Sequence, residues 1–515
     1  MNRQLHVLPR LTIEFDGVPL LMKDLRTLWE ARIQEKLSLP TLCEMTFLEP
    51  TEAFSLSDPP RLGARWRVAI QGATEPLFVG EVTALEYFYE SSSGRGLRVR
   101  GYDRLHRLRK RQPIRAHVQV TLADVARELC ADLGLTVEAG ADSPLWPRII
   151  QSRQTDFELL SELAERCGLY FTVRQNTLHL LTLAGIGDSI PLRLGETLLT
   201  ANLEINSENV CRSVVSKGWN ALRVETFAGL ANAARTGRNV DAGVEPSVFG
   251  TDAEKTIVDE MFTDQLHAEA LAQAELDRQT AQEIIFSGIA EGDSRLHAGT
   301  VVTLEKIAPQ LAGQYVLAAV NHVFDSTSGF VSEISSQLPK PAAKTLGRNS
   351  QIETVATLGV VTQVNDPEGF GRVRVKLPNY NDLETDWLGV LAAGAGLGKG
   401  LLALPDVDDT VLVLLPSGNP AEGVILGGLY GSLKREDWDW GVEEGAVRRY
   451  SMQTPNGQRI ILDDAKQTIR VETSDGSFLE MSPEKVRLHA SRDLEIEAPG
   501  RAVTLRAKTI DFEQG

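Results

Sequence analysis

From residue 5 to residue 104 apolar and polar residues alternate in short runs. Leu11, Ile13 and Phe15, then Val68 and Ile70, then Leu97 and Val99 are each two apart, the period of half-buried strands. The period then changes. Thr121 can cap a helical segment over 122–133, where Leu122, Val125, Ala126 and Leu129 share a face and Gly134 ends the run. A second helix is predicted after Thr155, which has Glu158 three residues on as in a capping box, and it ends at Gly168. Strands resume over 169–173 and 178–183. Residues 200–338 read as strands around one helix over 263–279, rich in Ala, Glu, Gln and Leu. The small, polar stretch 228–247 is predicted to be a mobile surface loop. A Pro, Lys and Gly-bearing joint over 339–350 marks a domain boundary.

From 356 to 431 Val360, Val373, Val375, Val411, Val413 and Leu415 sit on alternating runs parted by turns such as Asn365-Asp366-Pro367. About five short strands in this length suit a small barrel of the OB type. Its four basic residues against nine acidic ones oppose oligonucleotide binding.

The last segment repeats. Ile469/Val471, Leu479/Met481, Val486/Leu488, Leu494/Ile496, Val503/Leu505 and Ile510/Phe512 recur every 7 to 10 residues, with turn-like Gly, Ser, Asp or Pro between them. Each copy offers two or three apolar side chains on one strand face. Roughly 1.5–3 kcal/mol per fully buried side chain does not offset roughly 1–2 kcal/mol per ordered backbone residue. Other chains must supply the missing walls. Three copies, each forming one face of a prism, would enclose the apolar rows and satisfy the strand edges. The expected needle core is Ile469, Val471, Leu479, Met481, Val486, Leu488, Leu494, Ile496, Val503, Leu505 and Ile510. About eight strand layers would make a rod on the order of 40 Å long.

With 515 residues the chain exceeds one core, and three or four compact units are expected. A net charge of −17 opposes whole-surface affinity for nucleic acid or anionic lipid. Cys43, Cys130, Cys167 and Cys211 are widely spaced and read as reduced core residues rather than a disulfide or zinc framework. The start carries no secretory pattern and no run is long and apolar enough to span a bilayer, so synthesis and assembly in the cytoplasm are expected.

Candidate chemistry is sparse. The run 94–115 holds nine Lys or Arg against Asp103 alone, but only Tyr102 is interleaved, so a solvated or protein-binding face is favoured over nucleic acid. Gly394, Gly396, Gly398 and Gly400 around Lys399 lack the spacing of a phosphate loop and read as a flexible barrel loop. No nucleophile elbow, zinc-protease helix or facing acid pair is recognisable. His322 reads as a packed strand residue. Asp408/Asp409 and Asp463/Asp464 read as turn residues before cation ligands. Trp438 and Trp440 fit a partner anchor and a connector pin equally. No catalytic, cofactor or metal residue is assigned.

Several of these stretches resemble one family. Leu97-Arg98-Val99-Arg100-Gly101-Tyr102-Asp103, Asp156-Phe157-Glu158-Leu159-Leu160, Cys167-Gly168-Leu169-Tyr170, Gly313-Gln314-Tyr315-Val316 and Val320-Asn321-His322 are similar to the hub region of the valine-glycine-repeat (VgrG) spike proteins of contractile injection systems. Gly359-Val360-Val361, Gly371-Arg372-Val373-Arg374-Val375, residues 405–413 and residues 420–428 resemble that family's OB domain. Thr454-Pro455-Asn456-Gly457 and Ile461-Leu462-Asp463-Asp464 resemble the start of its triple-stranded β-helix. The resemblance implies a mainly β chain with a small α+β part: a hub over 1–345 with an α+β insertion at about 115–185, an OB barrel over 356–431, a connector over 432–453, and a β-helical needle over 454–515 formed by a homotrimer. It further implies a non-enzymatic spike that joins inner tube and baseplate to a membrane-puncturing end, with effector cargo as a further partner. The short connector and the stop at Gly515 leave no room for a lysozyme or toxin domain, and a separate PAAR-like tip protein is expected to sit on Ile510 and Phe512. The alternative is a tailspike-type hydrolase of cell wall or polysaccharide, which needs paired carboxylates roughly 5–10 Å apart in a groove.

Overall fold

The computed structural model describes residues 10–52, 54, 60–73, 75–90, 94–208, 210–220, 225–243, 254–339, 354–431 and 441–511. The chain divides into two compact units, Met1–Leu429 and Tyr430–Gly515. Among the described residues no helix is long and apolar enough to cross a membrane.

An eleven-stranded sheet organises the first unit. Leu198–Ile205, Ile284–Glu291, Gly329–Ser335 and Ala319–Asp325 form one part, and Leu28–Lys36, Leu42–Leu48, Gly94–Tyr102, Pro76–Glu90, Arg65–Ile70, Leu11–Phe15 and Val18–Pro19 continue it. The seam is antiparallel, running from Ala319 opposite Lys36 to Asp325 opposite Glu30. Strand alternation then decides the faces. Ala31, Ile33, Cys43, Met45, Phe47, Leu97, Val99, Trp66 and Val68 are buried together, with Phe324 contributed from across the seam.

The insertion folds around its two amphipathic helices, Leu122–Cys130 and Asp156–Arg166. Both begin with capping boxes, Thr121 with Asp124 and Thr155 with Glu158, each satisfying two otherwise orphan N–H groups. Gly134 and Gly168, both at φ +66°, lie just past the ends. Their apolar faces close over Phe171, Leu178 and Leu180 of a three-stranded sheet.

A longer helix, Gln265–Glu283, runs four residues beyond the predicted end. It lies against Ser213–Asn220 and Glu225–Ala231. The loop expected over 228–247 is corrected in its first residues, since Ala228 to Ala231 belong to a strand paired with Val214 to Lys217. Small side chains are needed there because the helix backbone at Ala268 and Glu269 crowds Gly229. Residues 244–247 lie outside the described residues.

The barrel has six strands in the order Leu383–Glu384, Arg374–Leu377, Val355–Gln363, Thr410–Leu415, Val424–Gly428 and Gly389–Val390. Val361, Val373, Val375, Leu377, Val411, Val413, Leu415 and Ile425 fill it. In the second unit Arg449–Gln453, Arg459–Asp463, Thr468–Glu472, Phe478–Met481 and Val486–His489 form an antiparallel meander. Strands were also expected at Leu494/Ile496, Val503/Leu505 and Ile510/Phe512. Among the described residues no strand follows His489, because the chain stops doubling back and offers these segments no neighbour of its own to pair with. Phe512 lies outside the described residues.

Candidate functional site

The meander carries two parallel apolar columns. Its register sets Tyr450 opposite Leu462, Leu462 opposite Ile469, Ile469 opposite Met481 and Met481 opposite Val486. Two residues along, Met452, Ile460, Val471, Leu479 and Leu488 form the second column. Directly paired residues share a face, and so do residues two apart. The ten side chains therefore form one surface, and each is 36–69% exposed.

The other face is polar and self-satisfied. Arg470 pairs with Glu480 at 2.9 Å and with Glu472 at 2.5 Å, and its guanidinium lies 3.9 Å from the Phe478 ring centroid. Arg449 grips Asp463 at 2.8 Å. The Lys466 N–H and the same Arg449 hold the Asp463 carboxyl below the usual carboxylate range. Asp463 is thus occupied by a turn and an ion pair. Beyond the meander Leu494, Ile496, Val503, Leu505 and Ile510 are 49–69% exposed.

The sequence reading found Ile469 to Leu488 but missed Tyr450, Met452, Ile460 and Leu462. The signal was present as alternation, but Ile461 makes three consecutive apolar residues and blurs the period. Trp438 and Trp440 lie outside the described residues.

The basic run is largely spent inside the first unit. Arg98 and Arg100 reach Glu86 at 2.9 and 3.1 Å, Arg107 reaches Glu81, and Arg111 and Arg115 converge on buried Asp156 at 2.7 and 2.8 Å. Arg109 lies 4.7 Å from the Phe157 ring centroid. Asp103 accepts N–H bonds from Thr41 at 2.8 Å and Leu105 at 3.0 Å, and burial pushes its carboxyl up to about 6. These partners leave little free positive field for phosphate.

His322 is a fully buried core residue. Its Nε2–H donates to the Leu296 carbonyl at 3.0 Å and its Nδ1 accepts from the Ser332 hydroxyl at 2.9 Å. Asp409 accepts from the Asp406 N–H at 2.8 Å, closing a turn that holds Asp408 at φ +70°. Cys43, Cys130, Cys167 and Cys211 are buried free thiols. Among the described residues no three His, Cys, Asp or Glu side chains converge as metal ligands.

A joint between insertion and barrel had no sequence signal. Arg153 donates to the Tyr380 hydroxyl at 3.2 Å with its guanidinium 5.9 Å from the ring centroid, and Arg148 donates to the Glu384 carbonyl. Their partners are more than two hundred residues away in sequence.

Two family models match. The "Type VI secretion system/phage-baseplate injector OB domain" covers residues 357–430, and the "Phage tail baseplate hub (GPD)" covers residues 34–328. No curated protein matches the sequence. Among solved structures, the E. coli c3393 protein, a type VI secretion component described as similar to the T4 bacteriophage tail proteins gp27 and gp5, is 13% identical with a TM-score of 0.52. That match covers 81% of this chain and 99% of that one. The lidded Francisella PdpA-VgrG complex gives 10% identity and a TM-score of 0.53, covering 94% of this chain and 80% of that one. At such identities the likeness is one of fold. The hub match, which spans more than half of the sequence, carries the assignment: this chain belongs to the phage tail baseplate hub (GPD) family.

Proposed function

We propose that three copies of this chain assemble into the central hub and spike of a contractile injection apparatus and that it acts without catalytic residues. The hub region docks on the inner tube and baseplate. Residues 454–515 of the three copies wind into a needle that carries a PAAR-like tip protein on Ile510 and Phe512, transmits axial force and perforates the target envelope. The particle is assembled in the cytoplasm, and the needle reaches the target on firing.

The two exposed apolar columns carry this reading. A five-stranded sheet with one greasy face and one ion-paired face requires a cover. Three such sheets facing inward cover one another and leave the charged faces in water. The same argument extends to Leu494, Ile496, Val503, Leu505 and Ile510, whose backbone gains partners only when strands of neighbouring chains interleave.

Light scattering on the purified full-length protein tests this directly. A mass of three chains is expected at micromolar concentration. A stable monomer whose residues 449–511 resist proteolysis would overturn the proposal. No observation favours the hydrolase alternative.

A further inference from the structure

The barrel sends out a finger over residues 391–404. At its root the Leu391 N–H donates to the Ile425 carbonyl at 2.8 Å, and midway the Leu401 N–H donates to the Ala393 carbonyl at 2.9 Å. At the tip Gly396 and Lys399 exchange backbone hydrogen bonds at 3.1 Å in both directions. The loop expected from its glycines to be flexible is thus a bonded hairpin. It is also greasy: Leu391 is 64% exposed, Leu402 78%, and Leu397 at the tip is fully exposed. Isolated surface leucines are ordinary, but a braced finger of them marks a contact site. Lys399 is its only charge.

The root has the complementary character. Leu404 lies against Gly371, where an added Cβ would meet its side chain at 3.8 Å, so the turns 366–371 and 404–409 are neighbours. Phe370, 65% exposed, and Val407, 46% exposed, stand on these turns. Around them are Asp406, Asp408 and Asp409, all exposed, while Arg372 takes up Asp366 in a two-bond pair at 2.7 and 2.9 Å, reaches Glu368 at 3.5 Å and lies 5.1 Å from the Phe370 ring centroid. One barrel therefore presents an apolar tip with a cation and an apolar root rimmed by anions. Leu397 is fully exposed, so the tip does not rest on the root of its own chain.

Unlike but complementary patches on identical chains make a head-to-tail contact, which closes into a ring under a suitable rotation. We infer that the Leu397–Lys399 tip of one copy docks on the Phe370–Val407 root of the next copy, so that three barrels form a closed ring. The inference rests on the trimer proposed above and supplies the barrel contact within it.

The test uses full-length protein carrying Leu397→Cys and Val407→Cys together, treated with a mild oxidant. Both positions are exposed, and the four native thiols are buried. The expected product is a reducible, denaturant-resistant three-chain species, absent from either single variant. A three-chain mass by light scattering without cross-linking of the double variant overturns the tip-to-root contact and leaves the trimer standing. Cross-linking of Leu397→Cys alone places tip against tip and also overturns it. A monomeric mass for the unaltered protein refutes the trimer itself. Independently, Leu397→Asp should raise the trimer dissociation concentration at least about tenfold through loss of a buried side chain. If that variant instead keeps its mass but loses binding to phosphatidylethanolamine–phosphatidylglycerol vesicles, the finger's occupant is lipid and the inference fails.

Discussion

Glu35 and His297 lie 262 residues apart in sequence, yet the His297 ring donates from Nδ1 to the Glu35 carboxylate at 2.9 Å inside the hub core. Glu35 stands on the seam strand of the large sheet, and the adjoining His322 ring fills the same pocket at 6.5 Å between ring centroids. Arg174, Glu75, Asp293 and Asp103 also act on this pocket through their charges. Burial alone would raise Glu35, but the charge and hydrogen bond of His297 lower it below the usual carboxylate range. Burial would lower His297, and Glu35 raises it above the usual imidazole value. Burial, with the His297 charge beside it, outweighs the raising pull of Glu35 and Asp293 and pushes His322 down from 6.5 to about 4.

These directions set a pH profile. The folded hub binds fewer protons at His322 than the unfolded chain, so stability falls as pH drops from 6.5 toward about 4. That gap corresponds to roughly 3 kcal/mol. The Glu35 contribution is lost further down, as pH falls through its lowered value. The His297 contribution is lost at the other end, as pH rises through its raised value. Denaturant midpoints measured between pH 4 and 8 should decline on the acid side. His322→Gln should lower stability at pH 7 and flatten that decline. An unchanged acid slope in the variant would remove His322 as its source.

Gly229 gives a steric prediction. A methyl group there would run into the Ala268 carbonyl and the Glu269 nitrogen, backbone atoms that cannot rotate away. Gly229→Ala should therefore displace Gln265–Glu283 from its sheet and cost about 1–3 kcal/mol. Gly389→Ala, which meets nothing within 4 Å, is the matched control, and thermal melts of the two variants should differ by several degrees.

The Arg153–Tyr380 contact predicts coupling between insertion and barrel. Arg153→Ala and Tyr380→Ala, made singly and together, should show an interaction energy of about 0.5–1 kcal/mol in denaturant melts. Additive effects would mean that the contact holds nothing in solution.

Legibility followed the range of the forces involved. The helices of the insertion were readable because their caps and apolar faces lie within a few residues, as Thr155 and Glu158 do. The barrel was readable because Val373, Val375, Val411 and Val413 alternate cleanly. The sheet seam was not, since Ala319 and Lys36 meet only through the fold and neither strand names its partner. Strand Glu225–Ala231 was hidden for a related reason: its small residues are chosen by the helix crossing it, and locally they look like a loop. In the C-terminal meander the pairs at Ile469, Leu479 and Val486 were plain, whereas Ile461 masked the row before them. The later pairs kept their spacing without forming strands in one chain, because spacing reports which side chains share a face and says nothing of where the hydrogen-bonding neighbour comes from.

The meander of the second unit yields the sharpest contrast between two faces of one sheet. Val471 lies in the middle of an apolar column, between Ile460 and Leu479, and Arg487 lies on the opposite face across from Glu480. If three sheets face inward, Val471→Asp places three carboxylates in a shared dry interior. Each loses roughly 1.5–3 kcal/mol of apolar burial and adds the cost of desolvating a charge. The expected result is a shift from three chains to one at micromolar concentration, with the hub still folded by its own melting transition. Arg487→Ser removes a charge of the same sheet from its water-facing side and should leave the mass unchanged. Equal behaviour of the two variants would mean that neither face is enclosed, and the prism would have to be abandoned whatever the mass of the unaltered protein.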